Sequence, residues 1–362
     1  MLAPVGFEKL PGWAGHDHGE ALETFRRSAR EILDQGSGFS RSVRFGGSRE
    51  SWLKPCRDAL ARQDGRNFFE TQFCAYRVQD RDHPQGLITG YFEPDVIGSL
   101  TPKPGFDVPL YRKPPDLVAL SAAERVRTGL GFGRIVDGEA RPYFTRREIE
   151  QGALSGRELE IVWLTDWADA FFMQVQGSGR VRLEDGRTVR LTYDGKTGLP
   201  YTSIGALLVE AGIIPRDEMS MQAIRRWMSL HPEEARELMW RNESFVFFRE
   251  VALERADLGA LGAQHVQLTP RRSLAVDRSL WMFGMPVWLE TVFPVDHEDG
   301  VKTFRQLMIS QDTGTAIRGL ARGDVYWGAG EEAAMIAGHM KSPGTMTVLL
   351  PHDVAKELEL PA

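Results

Sequence analysis

The chain has 362 residues, a length that accommodates two domains with a hydrophobic core in each. Hydrophobic residues make up 42% and charged residues 26%, which is ordinary globular composition and excludes a disordered or fibrous protein. The formal net charge of −6 comes from well-mixed signs, and no basic cluster indicates nucleic-acid binding. No run of about 18 apolar residues occurs, so no transmembrane helix is predicted.

The two cysteines, Cys56 and Cys74, exclude a disulfide-rich scaffold and a four-thiolate zinc site. They either form one bridge in an oxidising compartment or remain two thiols, and the sequence does not choose between these states. The first 30 residues carry scattered acidic and histidine side chains, which cannot form the apolar core of a secretory signal. The protein is therefore expected to be cytoplasmic or to begin after a removed leader.

The N-terminal part of the chain is predicted to be helical. Apolar spacing predicts a helix over Ala21–Gln35, ended by Gly36. A second helix is expected within Ser48–Gln63, with Pro55 in its first turn, and a third around Asn67–Phe73.

The pattern changes at Gly86–Pro94 (GLITGYFEP), where β-branched and aromatic residues bounded by glycine and proline predict a strand that ends in a turn. From here to about Val251 the sequence is β-rich with insertions. Proline-rich linkers beginning at Thr101 place a domain boundary there.

A row of amide side chains lies within the next β-rich block. Phe171–Gln176 (FFMQVQ) alternates in its second half and is predicted to be a strand, on which Gln174 and Gln176 share one face. Amides in a row suit hydrogen bonding to sugar hydroxyls or N-acetyl groups, although a solvated strand face has the same pattern. The turn Gly177-Ser178-Gly179 lacks the spacing of a nucleotide-binding loop.

The other elements before Val251 follow from caps, turn residues and apolar spacing. In chain order they are a short helix over Tyr143–Gly152 with a capping box of Thr145 and Glu148, a hairpin over Val181–Leu191 through Asp185-Gly186, a helix over Tyr201–Ala211, helices within Met219–Trp240 broken near His231-Pro232, and a buried strand over Ser244–Arg249.

Three aspartates fall at turns in the C-terminal region. Asp277 lies in a turn between the predicted strands His265–Val276 and Trp281–Val292. Asp312 falls just past a strand-length apolar run, FRQLMI, and Asp324 stands at a turn-to-strand junction before a second run, VYW. Strand ends place side chains where they can reach a cleft.

Carboxylates at strand ends, with apolar neighbours to raise the pKa of one of them, suit general-acid chemistry on a sugar or peptide bond. Asp beside Gly is equally typical of ordinary turns. Asp312-Thr313-Gly314 also matches the aspartic-protease signature, but no second copy occurs, so a protease would have to be a homodimer. No histidine pair with metal-ligand spacing, no nucleophile elbow and no marked catalytic thiol is found. A reaction carried out by carboxyl groups is therefore the chemistry that the sequence leaves, and neither a cofactor nor a metal is expected.

Seven motifs between about Gly86 and Ala337 resemble the membrane-bound lytic murein transglycosylase A family, in the family's order. They are Ile88–Pro94, Phe172–Gly179, Tyr201–Gly205, Met219–Arg225, Asn242–Phe248, Val276–Ser279 and Asp312–Gly330. The number and order of the motifs make this resemblance specific, which no single motif would be.

The resemblance implies a mainly β fold with flanking helices: a double-psi β-barrel interrupted by an inserted, smaller β-barrel domain, with a groove between them for a glycan strand. We predict that residues 1–100 and 252–362 form the discontinuous barrel domain, which holds the N-terminal helices and the aspartates. Residues 101–251 are predicted to form the inserted glycan-binding domain.

The resemblance also implies cleavage of the β-1,4 bond between N-acetylmuramic acid and N-acetylglucosamine without water, which leaves a 1,6-anhydro ring. Asp324 matches the family's catalytic acid and base, and Asp312 and Asp277 match companions that orient substrate or stabilise charge. The residues expected to contact substrate are Thr89, Gly90, Tyr91, Gln174, Gln176, Ser178 and Ser203.

The partner implied by the resemblance is a peptidoglycan glycan strand bound by a monomer, and membership in cell-wall enzyme complexes is left open. The family's location is the periplasm, in association with the outer membrane, although no signal peptide or lipidation site is visible. Two alternatives stay open. One is a hydrolytic muramidase with Asp324 as acid and Asp312 as base or nucleophile, and the other is a non-catalytic peptidoglycan-binding module.

Overall fold

The computed structural model describes residues 1–34, 43–80, 84–252, 255, 257–295 and 300–360. The chain divides into two compact units. Unit 1 consists of Met1–Phe92 and Arg255–Ala362, and unit 2 of Glu93–Glu254. The secondary structure is mainly strands with flanking helices, which confirms the predicted fold class at that level.

Strands and helices are numbered separately along the chain. The strands are β1 (Leu2–Pro4), β2 (Phe73–Val78), β3 (Gly86–Glu93), β4 (Asp95–Ser99), β5 (Val108–Tyr111), β6 (Val118–Ala119), β7 (Phe132–Val136), β8 (Glu139–Arg141), β9 (Glu160–Leu164), β10 (Ser178–Leu183), β11 (Thr188–Lys196), β12 (Val246–Glu250), β13 (Ser273–Val276), β14 (Pro286–Pro294), β15 (Val301–Asp312), β16 (Arg322–Ala329) and β17 (Lys341–Pro351). The helices are α1 (His18–Leu33), α2 (Glu50–Ala61), α3 (Gly65–Gln72), α4 (Ala122–Thr128), α5 (Arg146–Glu148), α6 (Trp167–Gln176), α7 (Ile204–Glu210), α8 (Met221–Leu230), α9 (Pro232–Trp240), α10 (Glu331–His339) and α11 (His352–Glu357).

Unit 1 is built on an eight-stranded sheet in the order β1-β2-β17-β14-β15-β13-β16-β3, in which β3 pairs with β17 as well. Helix α1 packs against β15. The side chains of Leu307, Met308 and Ile309 are fully buried. Both faces of β15 are therefore covered at Leu307–Ile309, which explains why the sequence is apolar there and does not alternate.

The predicted N-terminal helices are present. Helix α1 begins where the Asp17 side chain accepts from the backbone N–H of Gly19 and Glu20, and the predicted stop residue Gly36 lies outside the described residues. The placement of Pro55 in the first turn of the second helix is wrong, because α2 continues through it. Burial of one face of α2 around Pro55 outweighs the loss of one backbone hydrogen bond.

The cysteines lie in this same part of unit 1. Cys56 is buried in α2 and Cys74 is partly exposed on β2, and both are free thiols. The Cys74 Sγ atom lies 3.0 Å from Nδ1 of His352. The structure therefore has two thiols and no disulfide bond between Cys56 and Cys74, which is the second of the two states that the sequence left open.

Unit 2 contains a six-stranded sheet in the order β12-β11-β10-β4-β9-β5 and a three-stranded sheet, β6-β7-β8. The predicted hairpin is formed by β10 and β11, with Gly186 in the turn at φ 84°. Both hydrogen bonds of the Thr145–Glu148 capping box are present at α5. Helices α8 and α9 meet at His231-Pro232, as predicted.

The prediction of a strand over Phe171–Gln176 is wrong, because these residues belong to α6. The Asp166 side chain caps the helix by accepting from Ala168 N, and Gly177 ends it in a left-handed conformation at φ 79°. Ala170 and Met173 pack on the six-stranded sheet, whereas Phe171 and Phe172 face the core under α8 and α9. Because α6 is buried on two sides, its sequence is apolar without helical periodicity, and this pattern resembled that of a strand.

The predicted strand His265–Val276 is shorter than expected, because only β13 (Ser273–Val276) is extended. The residues before it fold back in a turn, in which Gly262 N donates to the Val266 carbonyl and His265 N donates to the Gly262 carbonyl. Asp312 is the last residue of β15, and Asp324 lies within β16 and not at its start.

Candidate active site

Strand β13 brings Asp312 and Asp324 together. Ala275 pairs with Asp312 of β15 on one side and with Asp324 of β16 on the other. A register shift after Leu274 places Asp312 opposite Ala275, where regular pairing would place Gln311. Paired residues in adjacent strands point to the same face, so the two carboxyl groups flank the small Ala275 side chain, with their backbones roughly 10 Å apart.

Asp324 is partly exposed, and the protein around it removes most of the water from its carboxyl group. Its Oδ1 accepts a hydrogen bond of 2.5 Å from the Thr89 hydroxyl. Burial raises the pKa of Asp324 to about 6; Arg322 and the Thr89 bond oppose this rise, and the charge of Asp312 adds to it. A carboxyl group with this pKa can both donate and accept a proton near neutral pH.

Asp312 is surrounded by hydrogen-bond donors. Its Oδ2 accepts from the Tyr91 hydroxyl at 2.8 Å, and its Oδ1 accepts from the backbone N–H of Ala263 and of Thr313, both at 2.9 Å. Burial raises the pKa of Asp312, and these three hydrogen bonds oppose the rise. Asp312 thus accepts three hydrogen bonds that favour its carboxylate form, whereas Asp324 accepts one, from Thr89.

Asp277 has a different environment from the other two aspartates. It is 4% exposed, and its carboxylate accepts from Ser279 N and Oγ, from Arg318 Nη1, and from Gly319 N at 3.0 Å. Burial would raise its pKa, but these hydrogen bonds and the Arg318 charge lower it. Trp281 Nε1 donates to the Leu320 carbonyl of the same loop. Asp277 therefore holds the loop before β16 in place through its hydrogen bonds with Arg318 and Gly319.

The predicted substrate residues of β3 lie beside the aspartate pair. Thr89 and Tyr91 each donate to one carboxylate of the pair. A Cβ atom at Gly90 would lie 2.7 Å from the indole of Trp327 and 3.0 Å from Cα of Ala337, so only glycine allows this approach. Burial and the adjacent Asp312 carboxylate raise the pKa of Tyr91 well above its ordinary value, which keeps its hydroxyl a donor.

The other predicted substrate residues lie in unit 2. Gln174 is 5% exposed, and its Oε1 accepts from Arg146 Nη2 at 2.8 Å. Ser178 is buried at the start of β10, and Ser203 caps α7 by accepting from Ala206 N. Gln176 is the half-buried last residue of α6. Gln174 and Ser203 thus serve the fold of unit 2, and contact of these four residues with substrate stays a prediction.

Sequence reasoning missed Arg322, whose Nη2 donates to the Thr89 hydroxyl at 2.8 Å. Its position two residues before Asp324 on a strand would have indicated it, but that strand was expected to begin only at Val325. The Ala263 N–H carries no sequence signal. Within the described ranges, no group of histidine, cysteine, aspartate or glutamate side chains could hold a metal ion.

The fold and the site define a mainly β protein with two desolvated carboxyl groups in different hydrogen-bonding environments, an arrangement typical of enzymes that cleave bonds between sugars. Residues 87–249 match the family model of the MltA specific insert domain, and residues 272–350 match that of the 3D domain. The membrane-bound lytic murein transglycosylase A of Escherichia coli K12 is 31% identical over 339 residues, which cover 92% of this chain and 81% of that protein. The chain belongs to the membrane-bound lytic murein transglycosylase A family.

Solved structures agree with this assignment. A membrane-bound lytic murein transglycosylase from Agrobacterium tumefaciens is 33% identical and superimposes with a TM-score of 0.89 over 99% of both chains. The E. coli MltA structure with bound chitohexaose is 28% identical, with a TM-score of 0.68 over 97% of this chain and 91% of that one. None of the helices in the part of the chain that the structure describes has the length and hydrophobicity needed to cross a membrane.

Proposed function

We propose that this protein cleaves the β-1,4 bond between N-acetylmuramic acid and N-acetylglucosamine in peptidoglycan and forms 1,6-anhydromuramic acid ends, with Asp324 acting first as acid and then as base. The observation that carries the proposal is the desolvated Asp324, with its pKa near 6, beside an Asp312 that accepts three hydrogen bonds. Membership of the lytic murein transglycosylase A family supports the choice of substrate.

In the first step Asp324 donates its proton to the glycosidic oxygen. The bond between this oxygen and C1 of the muramic acid breaks, and the glucosamine leaves as an alcohol. Positive charge develops on the muramic acid ring, and the Asp312 carboxylate on the same sheet face stabilises it electrostatically. Asp324 is left as a carboxylate.

In the second step the C6 hydroxyl of the same muramic acid attacks C1. Asp324 accepts the proton of this hydroxyl, which restores the acid form and closes the anhydro ring. The nucleophile belongs to the substrate, so the protein supplies neither a nucleophile nor a bound water, and the reaction benefits from the high effective molarity of an intramolecular attack. One carboxyl group with a pKa near the working pH suffices for both proton transfers.

The remaining parts of the proposal concern binding and location. Thr89, Gly90 and Tyr91 contact the sugars around the cleaved bond, and unit 2 supplies further glycan contacts through Gln176 and Ser178. Residues 1–100 with 252–362 and residues 101–251 are the catalytic and the inserted glycan-binding domain. The protein acts as a monomer in the periplasm in association with the outer membrane. The names of the relatives, which include the word membrane-bound, support the association with a membrane.

Mass spectrometry of the soluble products from purified sacculi tests the proposal. Wild-type protein should release anhydro-muropeptides, and Asp324→Asn should release none while it still binds glycan strands, because the amide is nearly isosteric but cannot donate the catalytic proton. Products one water heavier would identify a hydrolytic muramidase. Binding without any products, even at high protein concentration, would identify a binding module.

A further inference from the structure

We propose that Arg322 is a positioning residue for the reaction: its guanidinium directs the Thr89 hydroxyl onto Oδ1 of Asp324 and so leaves Oδ2 to carry the acid proton. This inference rests on the proposed function of Asp324. It assigns a role to a side chain that acts on the acid through Thr89.

The guanidinium of Arg322 is held between two adjacent strands. Arg322 precedes Asp324 by two residues on β16, so both side chains lie on one face of the sheet. Its Nη1 donates to the Leu87 carbonyl of β3 at 3.4 Å and to the Gly323 carbonyl of β16. Its Nη2 donates to Oγ1 of Thr89 at 2.8 Å. These bonds fix the guanidinium where β3 presents Thr89 to Asp324.

The chemistry of the donors determines the direction of each hydrogen bond. A guanidinium has only N–H donors, so the Thr89 oxygen must accept from Arg322. The positive charge also turns the single hydroxyl proton of Thr89 away from Arg322 and toward Oδ1 of Asp324, which accepts it at 2.5 Å. With a donor on Oδ1, the acid form of Asp324 carries its proton on Oδ2. The proton thus has one location, which a positioned general acid requires.

Arg322 also balances the charges around Asp324. The groups that face this carboxyl are Asp312, which favours the protonated form, and Arg322 and Thr89, which favour the ionised form; Tyr91 lies between the two aspartates as a donor to Asp312. Without Arg322, burial and the Asp312 charge would hold the proton more tightly. Asp324 would then remain protonated to higher pH and be a poorer donor in the first step.

The test compares Arg322→Met, which removes charge and donors, with Arg322→Lys, which keeps the charge. Arg305→Met is the matched control, because Arg305 is half-exposed on the same sheet beside Glu290. The rate of anhydro-product release from soluble glycan strands is measured against substrate concentration and pH. Arg322→Met should lower kcat about 10- to 100-fold with KM little changed. The alkaline limb of the pH–rate profile of this variant should move to higher pH by about one unit or more.

Arg322→Lys should keep the alkaline limb of the wild-type pH–rate profile and recover part of kcat. Arg305→Met should match the wild type in kcat and in pH–rate profile. In a Thr89→Val background, Arg322→Met should cost less in kcat than it does alone, because the hydrogen-bonded route through Thr89 is already broken and only the charge of Arg322 still acts on Asp324. If Arg322→Met fails to fold, Thr89→Val alone must show an upward shift of the alkaline limb.

An unchanged kcat and pH profile in Arg322→Met would overturn the inference, as would equal losses in the Met and Lys variants without any shift in pH dependence. Full additivity with Thr89→Val would overturn the directing role. These outcomes are distinct from a failure of the proposed function, in which the wild-type protein itself releases no anhydro products.

Discussion

Replacement of Asp324 by asparagine should make the protein more stable while it abolishes turnover. In the folded protein the pKa of Asp324 rises from its ordinary 3.8 to about 6, because burial disfavours the charge. Each tenfold change in proton affinity corresponds to about 1.4 kcal/mol, so ionised Asp324 costs the fold up to about 3 kcal/mol. Asparagine can still accept from Thr89 and carries no charge to desolvate.

The sign of the pH dependence follows from proton binding. The folded state binds the Asp324 proton more tightly than the unfolded chain, so this residue lowers stability as pH rises from about 4 to about 6. The full penalty is present above that range and vanishes below it. Asp324→Asn should therefore gain stability at neutral pH and lose this gain in acid.

Thermal unfolding followed by circular dichroism at several pH values measures the effect. At about 2–4 °C per kcal/mol for a domain of this size, the melting temperature of Asp324→Asn should exceed that of the wild type by up to roughly 6–12 °C at neutral pH. The difference should shrink toward zero near pH 4, where both states hold the proton in the wild type. Equal melting temperatures at neutral pH would refute the claim that the site disfavours the charge of Asp324.

Three further predictions concern the residues around the acid. Asp277→Asn should retain most of its activity but lose stability at neutral pH and not in acid, because the lowered pKa of Asp277 makes its ionised form stabilising; full loss of turnover with an intact fold would show that its role is catalytic. Tyr91→Phe should lower kcat about tenfold by removing one donor from Asp312, which steady-state kinetics would measure, and unchanged kinetics would exclude this role. Activity of the wild type should fall as pH rises through about 6, where Asp324 loses its proton, and a pH–rate profile that is flat there would contradict the assignment of Asp324 as the acid.

The sequence predicted elements well where one local signal dominated. The strand-length stretch FRQLMI before Asp312 identified β15, and the Thr145–Glu148 capping box identified the start of α5. The segment Phe171–Gln176 was misassigned because its apolar residues pack on two sides of a helix, which removes the periodicity that separates helix from strand. Pro55 was misplaced because the preference of proline for the first turn of a helix was the only signal used, whereas Pro55 is buried in the interior of α2.

The candidate site could be predicted only in part. The three aspartates and the β3 residues came from motifs, but the bond between Thr89 and Asp324 joins residues 235 positions apart, and no local pattern predicts it. The Ala263 N–H that supports Asp312 and the shift in register that aligns Asp312 with Ala275 depend on strand pairing alone. The different environments of Asp277 and Asp324 likewise arise from burial and donors that only the fold assembles.

The most direct test of the central claim is a digestion of purified sacculi in water enriched in heavy oxygen, with wild-type protein and Asp324→Asn in parallel. Because the C6 hydroxyl of the substrate is the nucleophile, the wild type should release anhydro-muropeptides that contain no heavy oxygen, and Asp324→Asn should release none. Reducing ends that carry heavy oxygen, or undiminished anhydro products from Asp324→Asn, would contradict the single-aspartate mechanism.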